Sequence, residues 1–164
     1  MAGSTAITAF VCFGVCLSVV NGISWLRNHV SGSTIQKIAD RHLGSTKWSF
    51  QSAYKTGKNT AKDGLFVADV FKKAGVNVPH RNNWSSSPIG AEEWGNPNSP
   101  FLKGTSCWSP ASTPRIGDVI SDGVTVGIVT GDRKTTRATS ATILKDDWGF
   151  RSDSLNMVFW HHSC

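Results

Sequence analysis

Thiol, imidazole and carboxylate side chains are sparse in this chain of 164 residues, and their spacing narrows what they can do. Cys12 and Cys16 fall within Ala6–Val20, an uninterrupted run of apolar or small residues. As a helix, that run is too short to cross a hydrocarbon layer of about 30 Å. It ends in Val20-Asn21-Gly22, with small or tolerated residues where a signal peptidase reads, and no Lys or Arg precedes it. The reading is a secretory signal over 1–22, with a signal anchor as the competitor and a mature chain starting near Ile23. Only Cys107 and Cys164 would then remain. In an oxidising compartment two cysteines most simply form one disulfide; the alternative is a free nucleophilic thiol at Cys107.

Other groups offer weaker chemistry. His161-His162 with Cys164 could hold a metal, but adjacent histidines rarely reach one ion, so no metal and no cofactor is expected. His80 stands alone beyond an apolar stretch. Asp146-Asp147 with Asp63 could form paired carboxylates, although aspartates before Trp148-Gly149 are ordinary turn residues. Asn83-Trp84-Ser85 is a glycosylation sequon in a Ser/Asn-rich loop, which makes Asn83 a candidate acceptor.

The elements that must position these groups read as one domain over 23–164. Hydrophobic residues are 39% and charged residues 17% of the chain, too apolar for disorder, and the sixteen glycines follow no collagen period. The net charge of +6 favours anionic surfaces, such as bacterial envelopes or acidic glycans, while the lack of a dense Lys/Arg run argues against nucleic acid. No segment after residue 22 approaches a membrane span. Ile35, Ile38, Ala39 and Leu43 predict a helix from Ser33 to Gly44, capped by Ser33 or Thr34. Phe66, Val67, Val70, Phe71 and Ala74 predict a stronger helix from Thr60 to Ala74, started by Asn59 or Thr60 and stopped by Gly75. Residues 82–114 read as a long loop with one helical turn at Ala91–Trp94. Strands are predicted at Gly117–Ser121, Val124–Thr130, Thr135–Thr142 and Arg151–Trp160. Helices followed by an antiparallel meander make the class α+β.

Two stretches carry a family likeness. KDGLFVADVFKKAG, from Lys62 to Gly75, and IGDVISDGVTVGIVTG, from Ile116 to Gly131, resemble the NlpC family of papain-like cell-wall cysteine peptidases and amidases. The likeness extends from about Ile35 to Arg151. In that family the nucleophilic Cys lies twelve residues before the glycine of the helix-ending Ala-Gly, and the catalytic His precedes Val-Gly-Ile. Here those positions hold Asp63 and Thr125. A third polar residue on the next strand would be Arg137 or Thr139. The resemblance therefore implies the papain-like fold while removing its chemistry: Asp63 is a poor nucleophile toward an amide, and Thr125 is no base near neutral pH.

A groove between these stretches would be flanked by Trp84, Trp94, Trp108 and Trp148, whose rings could stack on sugars or peptides or could simply pack; Trp48 and Trp160 are expected in the core. The leading expectation is a secreted, non-catalytic relative whose remnant groove binds cell-wall peptide, glycan or a protein, in defence or in an extracellular matrix. The alternatives are an active hydrolase of peptidoglycan peptides with an unusual nucleophile, and a structural matrix protein.

Overall fold

The computed structural model describes residues 30–81, 87–148 and 156–164. The expected signal at 1–22, the glycosylation candidate Asn83, and Trp84 lie outside them. Helix α1 spans Gly32–Asp40, with Ser31 as its N-cap: the Ser31 hydroxyl accepts from the Thr34 amide at 3.3 Å. It ends sooner than its apolar pattern predicts, because residues 41–45 close turn bonds such as His42 N to Ala39 O at 3.0 Å. Helix α2 spans Asp63–Lys73 and buries Leu65, Phe66, Val67, Val70 and Phe71. Each fully buried side chain of this kind contributes up to about 1.5–3 kcal/mol. At its end, Gly75 (φ +81°) lets the Val76 amide turn back to Phe71 O at 3.0 Å.

The segment expected to be loop is more ordered. Besides the expected helical turn, α3 (Ala91–Trp94), it forms the short helix α4 (Pro100–Lys103) and strand β1 (Trp108–Ala111). The stretch predicted as a single strand from Thr135 to Thr142 is instead β4 (Lys134–Ala138), a turn, and the separate strand β5 (Ile143–Asp147). Strands β2 (Val119–Ser121), β3 (Val126–Gly131) and β6 (Val158–His162) complete one antiparallel sheet, in the order β1-β6-β2-β3-β4-β5. The meander is thus β2 to β5; β6 returns along the far side of β2, and β1 pairs outside it. The class is α+β.

Alternation along the strands sends Val119, Val126, Ile128, Ala138, Ile143 and Trp160 into the core shared with α1 and α2. Trp94 and Trp108 join them at 1% and 7% exposure, with ring centroids 5.1 Å apart. Their polar atoms are matched: the Trp108 indole donates to Asn77 O and the Trp160 indole to Trp94 O, each at 2.9 Å. Trp148 and Phe159 approach to 5.4 Å although three strands lie between β5 and β6. The sheet is therefore curled, and its second face also buries Ile120 and Val129.

Candidate functional site

Asp63 opens α2 without a side-chain cap from Lys62; its own carboxylate serves instead. Oδ1 accepts from the Gly64 amide at 2.9 Å, and Oδ2 accepts from the Val126 amide at 3.1 Å. The second bond crosses from the helix start to the first residue of β3, so Asp63 reaches the residue that follows Thr125. Gly64 permits this seating, since a Cβ there would lie 2.5 Å from the Ile89 carbonyl oxygen. Thr125 is presented by a tight turn, in which Asp122 Oδ1 accepts from the Val124 and Thr125 amides at 2.9 and 2.7 Å.

Both side chains line a cleft of about 380 Å³, together with Phe50, Ala61, Lys62, Arg137, Ala138, Thr139 and Ser140. Burial pushes the Asp63 carboxyl above its ordinary range, opposed by its backbone hydrogen bonds and by the charge of Arg137. Arg137 crosses to β5 and holds Asp146 through two bonds, 3.2 and 2.7 Å. Thr139 closes its own turn by donating to Thr142 O at 2.8 Å. Of the two candidates for the third polar position, Arg137 is thus the one whose charge reaches Asp63. The Lys62 side chain is buried, and its ammonium donates to Gly57 O, Thr60 O and Thr60 Oγ1 at 2.8, 3.1 and 2.9 Å. That clamp gathers a loop containing Lys55, Gly57 and Asn59 at positive φ. The same loop fixes Phe50: the Asn59 amide donates to Phe50 O at 2.8 Å, and the Phe50 amide donates to Ser140 O at 2.9 Å. Phe50 is left 39% exposed at the rim.

Several expected site residues belong elsewhere. Trp94 and Trp108 are core residues and do not flank the cleft, because the short elements that carry them fold their indoles inward. Trp148 is half-buried against Phe159, away from the cleft lining. Asp146 and Asp147 do not pair with Asp63; they lie on β5 and bind Arg137 and Lys134. Cys107 and Cys164 are bonded to each other, with Cα atoms 5.5 Å apart, so Cys107 offers no free thiol. His161 and His162 face opposite sides of β6 and Cys164 is engaged, so the three cannot converge on one ion. His80 sits in a β-bridge with Pro88, outside the cleft.

Sequence reasoning missed the cleft roles of Phe50 and Lys62. It also missed a pair at the far end of the sheet. His161 Nδ1 lies 2.7 Å from Asp118 Oδ1, and Asp118 Oδ2 accepts from the Arg115 amide at 2.8 Å. Burial pushes the Asp118 carboxyl up, opposed by His161 and the Arg115 amide.

The cleft contains no sulfur and no imidazole among its lining residues. Its carboxylate is held by two amides. The thiol-imidazole pair of a cysteine peptidase is therefore not present in this lining. Among the described residues, no helix is long and apolar enough to cross a membrane. Set against protein-family models, curated proteins and solved structures, the chain matches none of them.

Proposed function

We propose that this chain is a secreted, non-catalytic relative of the NlpC-type, papain-like cell-wall peptidases, and that its remnant cleft binds cell-wall peptide or glycan. One observation carries the reading. The two positions at which the resemblance would put sulfur and imidazole, occupied by Asp63 and Thr125, stand side by side at a helix start and a strand start. Thiol catalysis in such a site depends on a helix N-terminus and an imidazolium lowering the pKa of the sulfur. The helix N-terminus is present, and a carboxylate satisfies its amides, worth a few tenths to about 1 kcal/mol in the field of the helix. Replacing both nucleophile and base removes most of the orders of magnitude such a pair supplies. What persists is a cleft of ordinary ligand-binding size walled by an aromatic ring, hydroxyls and ionised groups.

The net charge of +6 favours approach to anionic envelopes, whose structure includes both peptide and glycan. The test uses protein recovered from a secreting host, with N-terminal sequencing to locate its first residue. Incubated with insoluble peptidoglycan, it is expected to sediment with the polymer and to release no soluble fragments. Fragment release that disappears in Asp63→Ala would establish the hydrolase alternative. Failure to sediment with any polymer would leave the structural matrix reading in its place.

A further inference from the structure

The ionised groups of the cleft restrict what can enter it. Two cations and one anion line the space: Lys62, Arg137 and Asp63. Lys62 donates to three loop oxygens, and Arg137 is bidentate on Asp146. An incoming carboxylate would meet Asp63 and would compete with Asp146 for the guanidinium. An incoming ammonium would be the third cation in a confined space. Asp63 is the acidic acceptor among these groups, with one amide on each of its oxygens. Hydroxyl and amide hydrogens satisfy such a carboxylate without adding net charge. Each carboxylate oxygen that accepts one amide retains further lone-pair capacity.

The rim supplies the complementary feature. Phe50 lines the cleft and is 39% exposed, and its backbone is fixed on both sides, to Ser140 O and from the Asn59 amide. A fixed aromatic face beside polar groups suits a ring with one apolar C–H face and a polar perimeter.

Resting on the reading of the cleft as a binding site, we infer that its ligand is a neutral saccharide ring, stacked on Phe50 with its polar perimeter toward Asp63, Thr125 and Ser140. The glycan rather than the peptide part of a cell-wall polymer is then what the cleft selects.

The test is calorimetric titration of the full chain with three probes: N-acetylated chitotetraose, its fully deacetylated cationic counterpart, and a cell-wall stem peptide. The neutral tetrasaccharide is expected to bind more tightly than either of the others. Phe50→Ala is expected to weaken it roughly three- to tenfold, as loss of one stacking contact does. Phe50→Tyr should restore affinity, and Thr125→Val should weaken binding without loss of the fold. Phe50 is exposed enough that its truncation leaves the core intact, and circular dichroism of each variant checks that. If the stem peptide or the cationic oligomer binds more tightly and shows the same dependence on Phe50 and Thr125, the cleft reading stands and the saccharide inference falls. If no probe binds in a manner that depends on these residues, the cleft reading falls and takes the inference with it.

Discussion

The apposition of positions 63 and 125 can be tested by restoring the groups that the resemblance would place there. Asp63→Cys puts a thiol on the first turn of α2; adding Thr125→His puts an imidazole at the start of β3. Both variants deprive the Gly64 and Val126 amides of their acceptor, at roughly 1–3 kcal/mol per orphaned group. A domain with about 5–15 kcal/mol of net stability can survive that, and thermal melts establish whether it does. In the single variant the helix terminus lowers the thiol pKa by about half a unit, while burial of the kind that raises the Asp63 carboxyl acts in the opposite direction. The single thiol should therefore titrate near or above the ordinary value of about 8.5. In the double variant an imidazolium at roughly 5 Å, with an effective dielectric constant near 20, favours the thiolate by about 3 kcal/mol, or about two pH units. Burial and helix contributions are common to both proteins, so the difference isolates the pair. The measurement is the pH dependence of alkylation by iodoacetamide in a background carrying Cys12→Ser and Cys16→Ser, with Cys107 and Cys164 held in their disulfide. Two folded variants with the same thiol pKa would show that the side chains do not approach. The kinship and the account of lost catalysis would then fail together.

Three other perturbations address the scaffold around the cleft. Lys62→Met removes three hydrogen bonds from an ammonium to the loop at Gly57 and Thr60 and should cost about 2–3 kcal/mol in urea unfolding, with faster amide exchange at Asn59. A loss under half a kcal/mol would mean that the loop holds itself. Cys107→Ser opens a bridge between residues 57 apart in sequence and should lower stability by about 4 kcal/mol in the chain-entropy account, read as a fall in Tm. An unchanged Tm would contradict it. Asp63→Asn tests the buried carboxyl through pH. Its folded pKa is raised above 3.8, so its contribution to stability is complete below that value and is lost as pH rises through the folded pKa. Wild type should accordingly gain stability relative to Asp63→Asn between pH 7 and about pH 4 in denaturant titrations; a constant or shrinking advantage would refute this.

What could be read from the residues depended on whether a local period existed. In α2, Phe66, Val67, Val70 and Phe71 repeat often enough to define a helix, although it begins at Asp63 and not at the expected Thr60. In β3 the Val126-Gly127-Ile128-Val129 run is long enough to show a strand, although the expected start at Val124 lies two residues before the observed one. Elements of four residues have little period to detect: α3 is expected as a single turn, α4 and β1 read as loop, and Trp94 and Trp108 read as groove residues. Strand β5 escaped for another reason: it is an edge strand of mostly polar residues, and Asp146 and Asp147 have turn composition until Arg137 and Lys134 pair with them across the ladder.

The cleft divides along the same line. Asp63 opens a helix of strong periodicity and Thr125 directly precedes a strand, and it is the resemblance that pairs the two positions. The cleft walls are set by bonds that close irregular segments on themselves or on distant ones: Lys62 onto Gly57 and Thr60, Phe50 onto Ser140, Arg137 onto Asp146. None of these partnerships has a composition signature, because a lysine, a phenylalanine and an arginine have the same local statistics whether exposed or engaged. The lack of sulfur and imidazole follows from the residues at 63 and 125, while the shape of the walls follows from these distant partnerships. The residues at 63 and 125 could be singled out in the sequence through the resemblance, whereas the long-range hydrogen bonds that hold Phe50 at the rim and engage Lys62 and Arg137 could not.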